Sequence, residues 1–304
     1  MMAAINQNIL RGALKLNEAM ARYTSWRVGG VADQIYTPAD AEDLADFLQC
    51  LPENEPLFWL GLGSNLLVRD GGIRGTVISL KGSLAEINNL DELRVEAGAG
   101  VSCARLARFC SKNNLIGGEF FAGIPGLLGG ALAMNAGAFG GETWNYIESV
   151  TTVNRKGELN IRRPEEFEIA YRSVNGPAEE WFVSAVLKFT TGDGKKAAEQ
   201  IRELLDKRAQ TQPTGLPSCG SVFRNPQGDY AARLIEASGL KGFKKGGAVV
   251  SEKHANFIIN TGDASAQDIE ELIIYVQQQV KQQQGIELKT EVKIVGEKIT
   301  GELE

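Results

Sequence analysis

The stretch PSCGSVFRNP, residues 217–226, brings together a thiol, a hydroxyl, a guanidinium and a carboxamide in Cys219, Ser221, Arg224 and Asn225. Cys219 as a thiolate would be a nucleophile, but that role needs a neighbouring base and none is in sight, so a small packing residue is expected. Ser221 offers a hydroxyl that can give a proton, and the two flanking prolines equally fit a polar turn with no chemistry. The chain has one histidine, His254, which excludes a site built on two imidazoles and argues against a histidine-rich metal centre. Its four cysteines, Cys50, Cys103, Cys110 and Cys219, form no CxxC pair, so reduced thiols are expected rather than a disulfide framework or a zinc site. Chemistry must then come from other side chains or from a bound cofactor.

Glycine points to the cofactor. There are 35 glycines in 304 residues, well above the usual level of about 7%. They cluster in VGG at 28–30, GLGSNLLVRDGG at 61–72, GGEFFAGIPGLLGGALAMNAGAFGG at 117–141 and KKGGA at 244–248. Such clusters let a backbone approach a ligand closely. GLGSNL begins like a dinucleotide GxGxxG, but Leu66 stands where the third glycine belongs. No GxxxxGK[ST] and no GxSxG occurs. What remains is a turn rich in backbone amides, with Ser64 and Asn65, able to cradle phosphate oxygens or to be a plain tight turn. The small residues Gly129, Gly130, Ala131, Ala133, Ala136 and Gly137 would let a second loop approach a phosphate-bearing ligand, or would simply pack a helix tightly. Two such loops in one domain suit a dinucleotide whose pyrophosphate lies between them.

The elements that must position these residues follow from periodicity. Residues 38–51 read as an amphipathic helix with Leu44, Phe47, Leu48 and Leu51 on one face. LFWLG at 57–61 reads as a buried strand feeding the GLGSN turn, with strands again at 76–80, 85–90 and 93–98. A serine-capped helix at 102–114 accounts for Cys103 and Cys110 as face residues. Strands are expected near 147–154, 158–162 and 181–190, then a charged helix over 192–213 that bridges two domains. Further on come a helix over 229–239 with Asp229 as cap and Gly239 as stop, strands at 248–250 and 256–260, a long helix over 264–285 and an alternating strand in IELKTEVKIVG. With 43% hydrophobic and 23% charged residues this is an ordinary globular composition. A net charge of −6 gives no footprint for nucleic acid or an anionic membrane, and no stretch reads as a signal peptide or membrane span. A cytoplasmic location is expected.

In order along the chain, TSWRVGG (24–30), GLGSNLLV (61–68), AGIPGLLGGALAMNAGAFG, YRSV (171–174), PSCGSVFRNP, LIEASGLKG (234–242), SEKHANFIIN (251–260) and TEVKIVG (290–296) resemble the UDP-N-acetylenolpyruvoylglucosamine reductases, flavoenzymes of peptidoglycan synthesis. The resemblance implies an α+β chain with a vanillyl-alcohol-oxidase-type (PCMH-type) FAD-binding fold in two subdomains, 1–75 and 76–212, with the FAD region at about 27–191. An α+β substrate-binding domain would follow at 213–304. FAD would be noncovalent, since the one histidine is far in sequence from both glycine loops. Its expected contacts are Gly61, Gly63, Ser64, Asn65, Leu66, Gly123, Ile124, Pro125, Gly129, Gly130, Ala133, Asn135 and Gly137.

The resemblance also implies roles. NADPH would reduce FAD, and the enolpyruvyl ether would then take hydride and a proton, with Ser221 as the proton donor. Arg172 would bind the carboxylate and steady developing charge, together with Glu291. On pattern alone Arg172 reads as a surface ion pair and Glu291 as the solvent face of a strand. Tyr171 and Asn225 are expected at the substrate, although Tyr171 also reads as core. The expected partners are a UDP-sugar and NADPH, without nucleic acid, membrane or metal, in a monomer. One subclass of the family inserts a tyrosine-bearing segment after the arginine. Here YRSVNGPAEEWFVSAV runs straight on, so the chain resembles the shorter subclass. An FAD-dependent alcohol or sugar oxidase of the same fold is the alternative activity.

Overall fold

Helix starts follow the capping chemistry of the sequence. In this computed structural model, which describes residues 10–299, Asp40 accepts the Asp43 N–H ahead of α1 (Ala41–Cys50), and Ser102 accepts the Arg105 N–H ahead of α2 (Cys103–Lys112). A short α3 (Leu128–Ala133) lies in the second glycine cluster, and α4 spans Gly194–Thr211. Then come α5 (Ala231–Ala237) and α6 (Ala266–Gln284), the latter opened by a Ser265/Asp268 capping box and closed by Gly285 at φ 71°. The apolar residues of α6, Ile269, Leu272, Ile273, Val276 and Val280, recur at helical spacing and are all buried.

The chain divides into two units. The first comprises the described residues up to Lys15 with Ile35–Gly61 and Thr76–Lys207; the second comprises Leu16–Gln34, Leu62–Gly75 and the described residues from Arg208. The first is built on a five-stranded antiparallel sheet ordered Leu159–Arg162, Ile147–Asn154, Glu180–Lys188, Arg94–Gly98 and Ile87–Asn89. Val95, Ala97, Val150, Ala185 and Leu187 from that sheet share one core with Cys103, Leu106, Ala107 and Cys110 of α2. Alternation along each strand sends these side chains to the helix-covered face. A parallel pair, Leu57–Leu60 with Ile73–Ser79, belongs to a separate four-stranded sheet that also contains Ala13–Ala19 and Val31–Thr37.

The core of the second unit joins Trp26, Val28, Leu67, Cys219, Val222 and Phe223 to the apolar faces of α5 and α6. The Trp26 indole donates to the Ile258 carbonyl at 2.7 Å, and Asn260 donates back to the Trp26 carbonyl at 2.8 Å. TSWRVGG and SEKHANFIIN, distant in sequence, are thus one packed structure. Two expectations need correcting. Asp229 does not cap α5: its carboxylate is taken by Arg233 and the Tyr230 N–H, and Asn225 accepts the Ala231 N–H at 3.1 Å instead. The closing strand is short, with only Lys293–Val295 pairing in parallel with Leu66–Val68. Among the described residues no helix is long and apolar enough to cross a membrane.

Candidate active site

In the first unit a cavity of about 240 Å³ is lined by Trp59, Gly61, Leu80, Ala99, Gly129, Gly130, Ala133, Glu180 and Trp181, among others. Trp59 and Trp181 stack at 5.0 Å between ring centroids, giving it an aromatic wall. Glu180 supplies its polar end. The Arg162 guanidinium, 2.6 Å away, holds that carboxyl below the usual range against the opposing effect of burial, and Thr152 donates a further hydrogen bond at 2.6 Å. A side chain at Gly130 would meet nothing within 4 Å, so its backbone faces open space. At Gly129 a Cβ would stand 3.0 Å from that of Ala99.

These residues fit one end of FAD. The volume lies below the ~300–1,000 Å³ of a whole small-molecule site, and the lining pairs a flat apolar wall with bare backbone, as a dinucleotide requires. Of the expected cofactor contacts, Gly61, Gly129, Gly130 and Ala133 line this cavity. Gly123, Ile124, Pro125, Asn135 and Gly137 belong to the same unit but lie outside its lining, while Gly63, Ser64, Asn65 and Leu66 belong to the second unit. Sequence reasoning missed Trp59, Trp181 and Glu180. A tryptophan at the end of an apolar strand next to the GLGSN turn was the available signal.

Arg172 sits on a hairpin. Glu168–Ala170 pairs with Ser173–Asn175, and the register Ala170 opposite Ser173 leaves Tyr171 and Arg172 as a two-residue loop. Arg172 has φ 55°, a left-handed conformation costly for a residue with a Cβ. Its guanidinium donates to the Gly137 carbonyl at 2.9 Å and lies 5.4 Å from the Tyr171 ring centroid. Tyr171 is 51% exposed, which removes the core reading.

In the second unit three segments run together. Cys219 is buried, and its thiol donates to the Leu66 carbonyl at 3.3 Å, beneath the GLGSN turn. Burial pushes that thiol up to about 12, so it is no nucleophile near neutral pH. The turn itself requires glycine at Gly63, where φ is 62° and a Cβ would collide with the Tyr23 carbonyl. Beside it, the Glu291 N–H donates to the Val222 carbonyl at 2.8 Å, Arg224 N–H donates to the Lys289 carbonyl at 2.9 Å, and the Asn65 amide donates to the Glu291 carbonyl at 3.1 Å. Ser221 and Glu291 are therefore brought onto adjacent segments. The Ser221 hydroxyl has no hydrogen-bond partner among the described residues. Asn225 is exposed, its side-chain carbonyl accepts the Ala231 N–H, and its amide NH2 meets no partner among the described residues.

Asn256, also missed, fixes this arrangement. Buried to 3% exposure, it accepts the Phe223 N–H at 2.9 Å and donates to the Phe223 carbonyl at 2.8 Å, while its own carbonyl takes the Val222 N–H. A buried asparagine inside the apolar run ANFIIN was its signal. Asn256→Ala leaves both Phe223 groups buried and unpaired, so a loss of about 2–4 kcal/mol in unfolding free energy is expected by chemical denaturation. A loss below about 1 kcal/mol would show that the segment is not held this way.

Residues 32–161 match the family model of an FAD binding domain, and residues 212–295 match that of the UDP-N-acetylenolpyruvoylglucosamine reductase C-terminal domain. The fold is that of an FAD-dependent oxidoreductase, with the α+β FAD-binding fold expected above. Proteins named UDP-N-acetylenolpyruvoylglucosamine reductase are 58% identical in Alkalilimnicola ehrlichii, over 97% of this chain and 99% of that one, and 59% identical in Methylococcus capsulatus, over 94% of each. The crystal structure of the reductase from Thermus caldophilus, 32% identical, superposes with a TM-score of 0.79 over 94% of this chain and 99% of its own. The chain belongs to the UDP-N-acetylenolpyruvoylglucosamine reductases, FAD-dependent enzymes of peptidoglycan synthesis.

Proposed function

We propose that NADPH and UDP-N-acetylenolpyruvoylglucosamine use the enzyme in turn, in a ping-pong scheme that yields NADP and UDP-N-acetylmuramate. FAD, when bound, supplies the hydride that reaches one vinyl carbon of the enolpyruvyl ether. The chain's own residues do the rest. Ser221 donates its hydroxyl proton to the other vinyl carbon, which becomes basic as the enolate-like charge develops. The Arg172 guanidinium holds the enolpyruvyl carboxylate through its planar fork and steadies that charge, with Glu291 beside the same group. Tyr171 and Asn225 contact the substrate. FAD is held noncovalently by the residues of the two glycine loops within about 27–191, and 213–304 takes the UDP-sugar. The enzyme works in the cytoplasm as a monomer.

The observation that carries this reading is the half-buried Ser221 hydroxyl, unpartnered among the described residues and pinned between Cys219 and Val222. A hydroxyl serving only as a turn cap would be engaged with the backbone. The test is anaerobic: NADPH alone should bleach the flavin absorbance, and the enolpyruvyl substrate, added after NADP is removed, should restore it. Restoration by oxygen but not by the enolpyruvyl substrate would point to the oxidase instead.

A further inference from the structure

We propose that Asn135 is a positioning residue for Arg172, acting through the Ala170 carbonyl at the base of the arginine's hairpin; this rests on the role of Arg172 proposed above. Asn135 is 2% exposed and uses all of its amide chemistry inside the protein. Its NH2 donates to Glu142 Oε2 at 2.9 Å and to the Ala170 carbonyl at 3.3 Å, and its Oδ1 accepts the Trp144 N–H at 3.1 Å. Among neutral side chains only the carboxamides of Asn and Gln offer two donors and an acceptor from one planar group. Ala170 is the last paired residue before the Tyr171–Arg172 loop.

The other side of the loop is tied to the same place. Arg172 donates to the Gly137 carbonyl, and Gly137 pairs directly with Glu142 in a short antiparallel ladder. A Cβ on Gly137 would collide with the Gly141 carbonyl, so the close approach depends on glycine. The result is a closed ring of contacts: Asn135 to Glu142, Glu142 across the ladder to Gly137, Gly137 to Arg172, and back through Ala170 to Asn135. Two members, Asn135 at φ 44° and Arg172 at φ 55°, hold left-handed backbones. Such conformations persist where the surroundings over-determine them. A guanidinium that must meet a carboxylate bidentately gains from being fixed at both its tip and its base.

The chemistry of the ring separates positioning from simple stability. Asn135→Asp keeps the acceptor for Trp144 but faces Glu142 with a second carboxylate and presents Ala170 with an acceptor. Adding Glu142→Gln restores the 135–142 hydrogen bond in reverse, while the donation to Ala170 stays lost. The Asn135→Asp/Glu142→Gln protein should therefore melt well above the single Asn135→Asp variant. Its flavin should still be reoxidised by the enolpyruvyl substrate at least about 10-fold more slowly relative to its rate of reduction by NADPH. In an Arg172→Ala background the same pair of changes should add nothing, because a residue acting through Arg172 has no effect once Arg172 is gone. Full recovery of the reoxidation rate together with the melting temperature, or an undiminished effect in the Arg172→Ala background, overturns the inference and leaves Arg172 in place. Arg172→Ala reoxidising at the parent rate would instead overturn the role of Arg172 itself, and the inference with it.

Discussion

Ser221→Ala is expected to slow reoxidation of the flavin by the enolpyruvyl substrate by roughly 10²- to 10⁴-fold, the range for loss of a positioned proton donor. Stopped-flow absorbance read separately for the two half-reactions measures it. Bleaching by NADPH should change little, because that step needs no proton from the protein at a carbon. Removing this side chain should not unfold the segment: Cys219, Val222 and Phe223 are held by bonds that do not involve the Ser221 hydroxyl. A deletion confined to one half-reaction therefore reports chemistry rather than folding. Equal slowing of both halves would return Ser221 to the role of a turn residue.

The same segment shows how far the sequence could be read. Helices α1 and α2 were legible because an apolar face and a serine cap are local patterns, and Ser102 does accept an N–H three residues on; Asp40 and Ser265, which accept in the same way ahead of α1 and α6, were not read as caps. Cys103 and Cys110 were legible as core because a helix face is a local pattern too. Asp229 was misread because a cap is decided by competition, and Arg233 one turn on takes the carboxylate that would have served. That leaves the α5 N-terminus to Asn225, at the far end of PSCGSVFRNP. The closing strand was overextended because alternation reports a face and not a partner, and only Lys293–Val295 finds one in Leu66–Val68.

The site residues divide in the same way. That PSCGSVFRNP held either chemistry or a turn could be read from residue types. That Cys219 is packing was read from the want of a neighbouring base and from the motif set, and its burial bears this out, although the contact that places it under the GLGSN turn spans more than a hundred residues of sequence. Asn135 and Asn256 look alike in the sequence, each an asparagine among small or apolar residues, and both prove to hold backbone for a neighbour. Arg172 and Glu291 have no local pattern that marks them, and their roles came from the ordered motif set alone. Glycine counts pointed to a nucleotide, yet the aromatic wall of Trp59 and Trp181 appears only when strands distant in sequence fold together.

Arg172 is the position at which stability and activity should part most clearly. Arg172→Ala removes the group proposed to hold the enolpyruvyl carboxylate, and kcat/KM for that substrate should fall by about 10²- to 10³-fold, as for loss of one charge-stabilising donor. Arg172→Lys keeps the charge but loses the planar fork, and should recover only part of the loss. Neither substitution relieves the backbone, since alanine and lysine also carry a Cβ at φ 55°. Arg172→Gly does, and should be more stable than Arg172→Ala by about 1 kcal/mol while remaining equally impaired. In a generic hairpin loop, optimisation for stability would place glycine here. An arginine kept in a left-handed conformation and tied to the Gly137 carbonyl implies that its guanidinium is worth the strain to the reaction. If the glycine variant proves no more stable than the alanine one, the loop carries no strain and the left-handed backbone is no sign of a role for the guanidinium. If it proves more stable and fully active, Arg172 is not the carboxylate's partner.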